Sequence, residues 1–272
     1  SYSVEYYYNG RLDESKTDSF TNQIYKSKID KYDDKNLEGY HLVAEENFPL
    51  EIGVDSKSNI IKVYYEADIN TKYTIQYFYE KNGMYTDNPD FVDTSRNGTT
   101  DTYAEVTAED RIPNSLMEGK YVFDNTMNHA LKLIITGDGE MVLKVYFKQL
   151  FTVSYQPGDY GTFDETISEN LFYEDKTPLA PATPGAEGYI FAGWNPKVEP
   201  TVTKDATYVA QWIPSDSTKY TVEFYYENAG KYPAAPDDIS LRAGTTDATA
   251  AVTDTDKTAP AGYILDSNAA NV

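Results

Sequence analysis

His41 and His129 are the only histidines in the chain, and cysteine is absent. Without cysteine there are no disulfides, thiolate nucleophiles or cysteine-bound metals. The two histidines fall in different segments, and no nucleophile-elbow pattern offers either of them a serine, so both read as surface or strand residues. The 44 acidic residues supply many carboxylate pairs of the kind glycoside hydrolysis needs. Small folding units, however, leave little room for the concave cleft such pairs must line. The stretch TGDGEM, 136–141, lacks the Lys-Ser/Thr of a phosphate loop and reads as a turn. DKYDDKN, 30–36, and APDDI, 235–239, gather oxygens without the spacing of a calcium loop and read as solvated acids. Asn97-Gly98-Thr99 is a glycosylation sequon only in a eukaryotic secretory setting. No catalytic, cofactor-binding or metal-binding residue is assigned, and the expectation is a protein that is not an enzyme.

Aromatic residues carry the remaining chemistry. GYIFAGW, 188–194, is an apolar knot, and TYVAQW follows at 207–212. Trp194, Trp212, Tyr189 and Phe191 could form the centre of a small core, or they could stack on sugar rings. The core reading is preferred, because a unit of this size needs a few large side chains at its middle. Tyrosine accounts for 26 of 272 residues. Doublets such as Tyr6-Tyr7, Tyr64-Tyr65 and Tyr225-Tyr226 place tyrosines on both faces of a strand. Tyr7, Tyr64 and Tyr225 therefore either pair across strands or form a recognition surface.

The elements that would position these residues recur along the chain. KYTIQYFYEKNGMY, 72–85, returns as KYTVEFYYENAGKY, 219–232, with weaker copies from Tyr2 and Phe151. Equivalent apolar positions are Val4, Ile75, Val153 and Val222. A glycine landmark follows each, at Gly39, Gly119, Gly188 and Gly262, and an alternating strand pattern closes the first three copies at 59–65, 141–147 and 206–212. These landmarks divide the chain into repeats at 1–68, 72–148, 150–213 and 219–272. Period-two alternation of β-branched and aromatic residues marks half-buried strands. If opening and closing strands are neighbours, Glu5 and Lys62 face each other. Turns are expected at Asn9-Gly10, Asn82-Gly83, Asn97-Gly98 and Asp138-Gly139, the last as a hairpin into the closing strand of the second repeat. Short helices are candidates at 27–37 and 108–119. The fold class expected is α+β to mainly β.

Charge and hydropathy bound the partners. The net charge of -21 argues against nucleic acid and anionic membranes. No apolar run is long enough to span a bilayer, so no membrane insertion is expected. The chain opens directly on a strand pattern, as a piece of a longer protein would.

One segment resembles a known family. TPLAPATPGAEGYIFAGWNPKVEPTVTKDATYVAQW, 177–212, is similar to the Listeria–Bacteroides repeat, the B-repeat of internalin-like surface proteins, through Gly188, Tyr189, Phe191, Gly193, Trp194, Ala210, Gln211 and Trp212. The other three repeats resemble mucin-binding-protein-type repeats but lack the Gly-Trp and Gln-Trp pairs. The resemblance implies a tandem array of small β-grasp-like domains on a secreted or wall-anchored bacterial protein, without a cofactor. Two roles follow as expectations: a stalk or spacer, or an adhesive module that binds a host or neighbouring-cell glycan, mucin or protein. Only ten residues follow Gly262, so the fourth repeat is expected to lack its closing strand; the preferred reading is that the sequence is cut from a longer parent protein, and the alternative is that a strand from another chain completes the repeat.

Overall fold

Val4, Tyr6 and Tyr8 alternate with Glu5 and Tyr7 because they lie on an extended strand, β1 (Tyr2–Tyr8). The structure, a computed structural model, describes residues 1–127 and 130–269, and His129 lies outside the described residues. Two units cluster separately, Ser1–Leu150 and Phe151–Val272. In the first, β1 is followed by β2 (Arg11–Leu12), β3 (Asp18–Phe20), β4 (Lys28–Ile29), β5 (Tyr40–Glu46), β6 (Leu50–Glu51) and β7 (Ile60–Ala67). The second repeat adds β8 (Thr71–Tyr79), β9 (Phe91–Gly98), β10 (Tyr103–Glu105), β11 (Tyr121–Phe123), β12 (Lys132–Ile134) and β13 (Val142–Gln149).

Within this unit the two repeats share one sheet order. The opening strand lies beside the closing strand and parallel to it, β1 with β7 and β8 with β13. The strand after the landmark glycine, β5 or β11, pairs antiparallel on the far side of the closing strand. The strand after the first turn, β2 and β3 or β9, pairs antiparallel on the far side of the opening strand. A central strand with neighbours on both edges can turn one face wholly inward. Accordingly Val4, Tyr6, Ile61, Val63 and Tyr65 form one core, and Ile75, Tyr79, Leu143, Val145 and Phe147 form a second. Burial of a side chain of this size contributes about 2–3 kcal/mol.

The second unit repeats the pattern. β14 (Phe151–Gln156), β15 (Thr166–Leu171), β16 (Tyr189–Asn195) and β17 (Ala206–Pro214) lie in the order β15-β14-β17-β16, with β14 and β17 parallel. Phe151, Val153, Tyr155, Val202 and Tyr208 fill its core. The fourth repeat holds two strands, β18 (Thr218–Phe224) and β19 (Asp238–Gly244), which pair antiparallel.

The fold is mostly β, and the helical part of the sequence expectation is corrected. Residues 27–37 hold only the short strand β4 and are otherwise without regular secondary structure. Their backbone acceptors are used by tyrosines of the sheet rather than by a helix: Tyr6 donates to the Asp33 carbonyl at 2.6 Å and Tyr8 to the Lys35 carbonyl at 2.5 Å. Tyr65 donates to the Asp34 carboxylate at 2.6 Å, so the segment is a strap pinned across the core. Residues 108–119 contain one 3-10 turn, Glu109–Arg111, and Pro113 blocks its extension. Two local expectations also change. β12 pairs with β10, not with β13, so the turn at Asp138-Gly139 joins two sheets instead of closing a hairpin. Asn97-Gly98 ends β9, and the chain turns at the next residues, where Asp101 takes φ +63. Asn9-Gly10 and Asn82-Gly83 do adopt the paired positive φ of a two-residue hairpin turn. Glu5 and Lys62 are register partners, yet their charges are used elsewhere: Glu5 accepts from Tyr7, and Lys62 lies 3.4 Å from Glu46.

Candidate functional site

The aromatic residues of the third repeat are positioned by β16 and β17. A bulge between Phe191 and Gly193, with Gly193 at φ +127, redirects Trp194 toward the core. Trp194 meets Tyr155 edge-on at 4.9 Å and Phe191 at 5.4 Å. Phe191 in turn meets Trp212 at 5.6 Å, so one phenyl ring sits between both indoles. Tyr189, Phe191, Trp194 and Trp212 are each half-buried. Trp212 donates its Nε1 proton to the Pro157 carbonyl at 2.7 Å and lies flat over Gly185, where no side chain would fit. Gly158, Asp159, Tyr160, Val209, Ala210, Gln211 and Trp212 line an open depression of about 150 Å³. That volume is below the several hundred cubic ångströms typical of small-molecule sites. Tyr160 stacks on Tyr189 at 3.7 Å beside it.

Tyrosines on the outer face pair across the parallel strands. Tyr7 and Tyr64 are register partners and stack at 4.8 Å. Phe78 and Tyr146 occupy the same place in the second repeat, also at 4.8 Å. In the third, Ser154 donates to Thr207 at 3.1 Å instead. Tyr225 is exposed and donates to Glu223 at 2.6 Å. The hydrogen bond to Glu5 pushes the Tyr7 phenol up to about 12.

Phenol-to-carboxylate bonds recur throughout. Tyr32 donates to Glu45, Tyr77 to Asp110, Tyr85 to Asp124 and Tyr232 to Asp266. Abundant tyrosine and abundant acid thus satisfy one another. The most elaborate example is Asp110, whose side chain is 2% exposed. It accepts from Tyr77 at 2.8 Å, from Arg96 at 2.5 Å and from both the N–H and the hydroxyl of Thr107 at 2.9 Å. Burial alone would raise its carboxyl, but the donors from Thr107, Tyr77 and Arg96 outweigh burial and hold it below the usual range. The fourth repeat rebuilds this cluster, with Asp256 accepting from Arg242 and from the N–H and hydroxyl of Thr253.

A docking contact between successive repeats appears twice. In the first unit, the Asp68 N–H donates to the Gly39 carbonyl at 2.8 Å, and the Thr100 N–H to the Asp68 carbonyl at 2.9 Å. The hydroxyls of Thr71 and Thr100 lie 2.6 Å apart, and Tyr40 donates to Asp101 at 2.5 Å. In the second unit, Ser215 donates to the Gly188 carbonyl at 2.7 Å and Thr246 to the Ser215 carbonyl at 2.8 Å. The Thr246 hydroxyl also donates to Gly188 at 2.7 Å, so it accepts from Thr218, and Tyr189 donates to Asp247. Glycine is required on the receiving side. A Cβ on Gly39 would lie 2.6 Å from Thr100 Oγ1, and one on Gly188 would lie 2.7 Å from Thr246 Oγ1. At the corresponding place in the second repeat the accepting carbonyl belongs to Lys120, which takes the Leu150 N–H at 2.8 Å.

The sequence carried a signal for both features. RNGTTDTYAEVTAED, 96–110, and RAGTTDATAAVTDTD, 242–256, share R-x-G-T-T-D-x4-V-T-x-x-D. The third repeat has no Gly-Thr-Thr-Asp. His41 lies with its Nδ1 2.7 Å from Asp68 on the surface. Among the described residues no group of three or more His, Asp or Glu side chains is arranged to hold a metal ion. No described helix is long and apolar enough to cross a membrane. No protein-family model matches the chain, and no curated protein matches it.

Proposed function

We propose that the chain is a non-enzymatic stalk or spacer region of a bacterial cell-surface protein, built from β-grasp-like repeats in which a pinned strap crosses the sheet where a helix would lie. One observation carries this reading. In each of the first three repeats the strand that enters first and the strand that leaves last are parallel hydrogen-bonded neighbours. Tension along the chain then pulls the two strands in opposite directions along their length. Their hydrogen bonds are loaded in shear and share the force instead of opening one at a time. The clasps at Gly39 and Gly188 tie the first repeat to the second and the third to the fourth, which suits a chain that carries tension. The lack of cysteine and the resemblance of 177–212 to a surface-protein repeat fit an origin on a bacterial surface.

Single-molecule stretching of the chain by its two ends tests the reading. The expected trace has high-force events, each releasing about 20 nm of contour at ~3.6 Å per residue. Among the first three repeats the third should yield first, because β14 and β17 pair over four residues where β1 and β7 pair over six; the two-stranded fourth repeat has no such parallel pair and should open at lower force. Unfolding without distinct force peaks would refute the stalk reading. The depression beside Trp212, with Tyr160, Asp159 and Gln211 at its edge, favours a second reading as an adhesive glycan-binding module. A glycan array answered by the intact chain and silenced by Trp212→Ala would favour that role instead.

A further inference from the structure

Tyr160 and Tyr189 stack at 3.7 Å with their planes 11° apart. The next closest pair of tyrosines among the described residues is Tyr7 with Tyr64, at 4.8 Å. The main chain holds the closer pair in place. Tyr160 lies in the turn after β14, where its carbonyl accepts the Ala186 N–H at 2.7 Å, and the Tyr189 N–H donates to the carbonyl of the same Ala186 at 3.1 Å. Thr162 donates to the Pro184 carbonyl at 2.9 Å, and Gly161 bridges to Gly185, so the turn is zipped to the segment that leads into β16. The phenol ends meet as well. The Tyr189 phenol is pushed up first by its hydrogen bond to Asp247 and then by the Tyr160 hydroxyl beside it. Parallel rings whose phenol ends meet place ortho carbon over ortho carbon.

The pair is also open to a reagent. Tyr160 is 40% exposed and Tyr189 is half-buried. Tyr8 and Tyr65, which stack at 5.4 Å, differ on both counts: Tyr65 is 1% exposed, and the Tyr8 hydroxyl is tied to the Lys35 carbonyl. A phenol gives up an electron most readily when a base takes its proton in the same step, and the Asp247 carboxylate already accepts the hydrogen bond of Tyr189. Two phenols held face to face need no diffusion to meet.

We propose that Tyr160 and Tyr189 are a site of oxidative cross-linking, joined ring to ring as dityrosine by a peroxide acting through a haem peroxidase. Each phenol gives up one electron and one proton, the Tyr189 proton passing to Asp247. The two radicals form one C–C bond between their ortho carbons, and each ortho hydrogen moves to its own phenolic oxygen as the rings regain aromaticity. The peroxide O–O bond breaks, takes up the two electrons and two protons, and leaves as two waters. The new bond closes the loop between residues 160 and 189, in the repeat whose parallel strand pair is the shortest of the first three. A mechanical role for that loop rests on the stalk reading, whereas the bond itself does not.

The probe is hydrogen peroxide with a haem peroxidase, added to the intact chain and followed by dityrosine fluorescence and peptide mass mapping. The expected first product is a monomer lighter by two hydrogens, with the peptide that holds Tyr160 joined to the one that holds Tyr189. Its rate should not change as the chain is diluted, because the partners are already in contact. Tyr160→Phe keeps the stacked ring and should abolish the product, while Tyr225→Phe, at an exposed tyrosine elsewhere, should leave it unchanged. Asp247→Asn keeps the side-chain shape and should slow coupling by about tenfold or more, because the phenol proton then has no charged acceptor. A first bond mapped to any other pair of tyrosines, oxidation of Trp212 without coupling, coupling that needs a second chain, or an unchanged rate in Asp247→Asn overturns the inference. The mass readout stands apart from the stretching experiment, so the bond and the stalk reading fail separately.

Discussion

Replacing Asp110 by alanine should be among the most damaging single changes in the first two repeats. The carboxylate accepts four hydrogen bonds from three residues. Arg96 keeps a partner in Asp93 at 2.7 Å, so its charge is not abandoned. The Tyr77 hydroxyl and the Thr107 N–H lose theirs, and a buried donor left unpaired costs about 1–3 kcal/mol. Two such donors bring the expected destabilisation to about 2–4 kcal/mol, with the ion pair adding little because Arg96 keeps Asp93 and is partly exposed. Bulk unfolding would blend the repeats, so native-state amide exchange at Leu143 and Val145, deep in the same core, is the appropriate assay. The pH dependence has a definite sign. The folded carboxyl is held below its ordinary value, so the stabilisation is present above about pH 4 and is lost as pH falls through the lowered pKa. A loss under about 1 kcal/mol at neutral pH, or a loss undiminished in acid, would refute the account of this cluster.

Alkali should act in the opposite sense. Phenols held up by burial and carboxylate partners, Tyr40 to about 12 and Tyr6, Tyr65, Tyr77 and Tyr85 in the same direction, stabilise fully below pH ~10 and lose that contribution as pH rises through their folded values. A spectrophotometric titration that ionises every tyrosine near pH 10 in the folded chain would contradict this. Gly39→Ala and Gly119→Ala share a positive φ, +77 and +74, but only Gly39 faces a neighbour. The first should cost about 1–2 kcal/mol more than the second in thermal or urea unfolding, and equal costs would remove steric closeness from the clasp. Phe191→Ala should cost about 3 kcal/mol and change the emission of both indoles, which it separates. Unchanged tryptophan emission would disprove the packing described.

Strands and repeats were legible because alternation is written residue by residue: Val4, Ile75, Val153 and Val222 each open a strand found in the structure. The parallel pairing of first and last strands was not legible, since period-two patterns are alike in either direction. Residues 27–37 carried a polar, charged pattern that a helix or a strap could satisfy equally. The choice was made by phenols on β1 and β7, distant in sequence, that take up the strap's backbone carbonyls and the Asp34 carboxylate. The partners of Asp110 and Asp256 were visible only as a repeated spelling, R-x-G-T-T-D-x4-V-T-x-x-D, whose meaning depends on a turn that brings its ends together.

That spelling also bears on how such an array is copied. Arg96 and Arg242 lie 146 residues apart, Lys72 and Lys219 lie 147 apart, and the glycines of the two clasps, Gly39 and Gly188, lie 149 apart. The first and third repeats supply the receiving glycine and tyrosine, and the second and fourth supply the threonines and aspartate that seat on them. The clasps therefore match unlike members, the first repeat with the second and the third with the fourth. A gene lengthened by whole pairs keeps every clasp matched, whereas one lengthened by a single copy sets a lysine turn such as that at Lys120 where a glycine is needed. Gain or loss of a whole pair, about 147 residues, would leave the clasp inside each remaining pair intact.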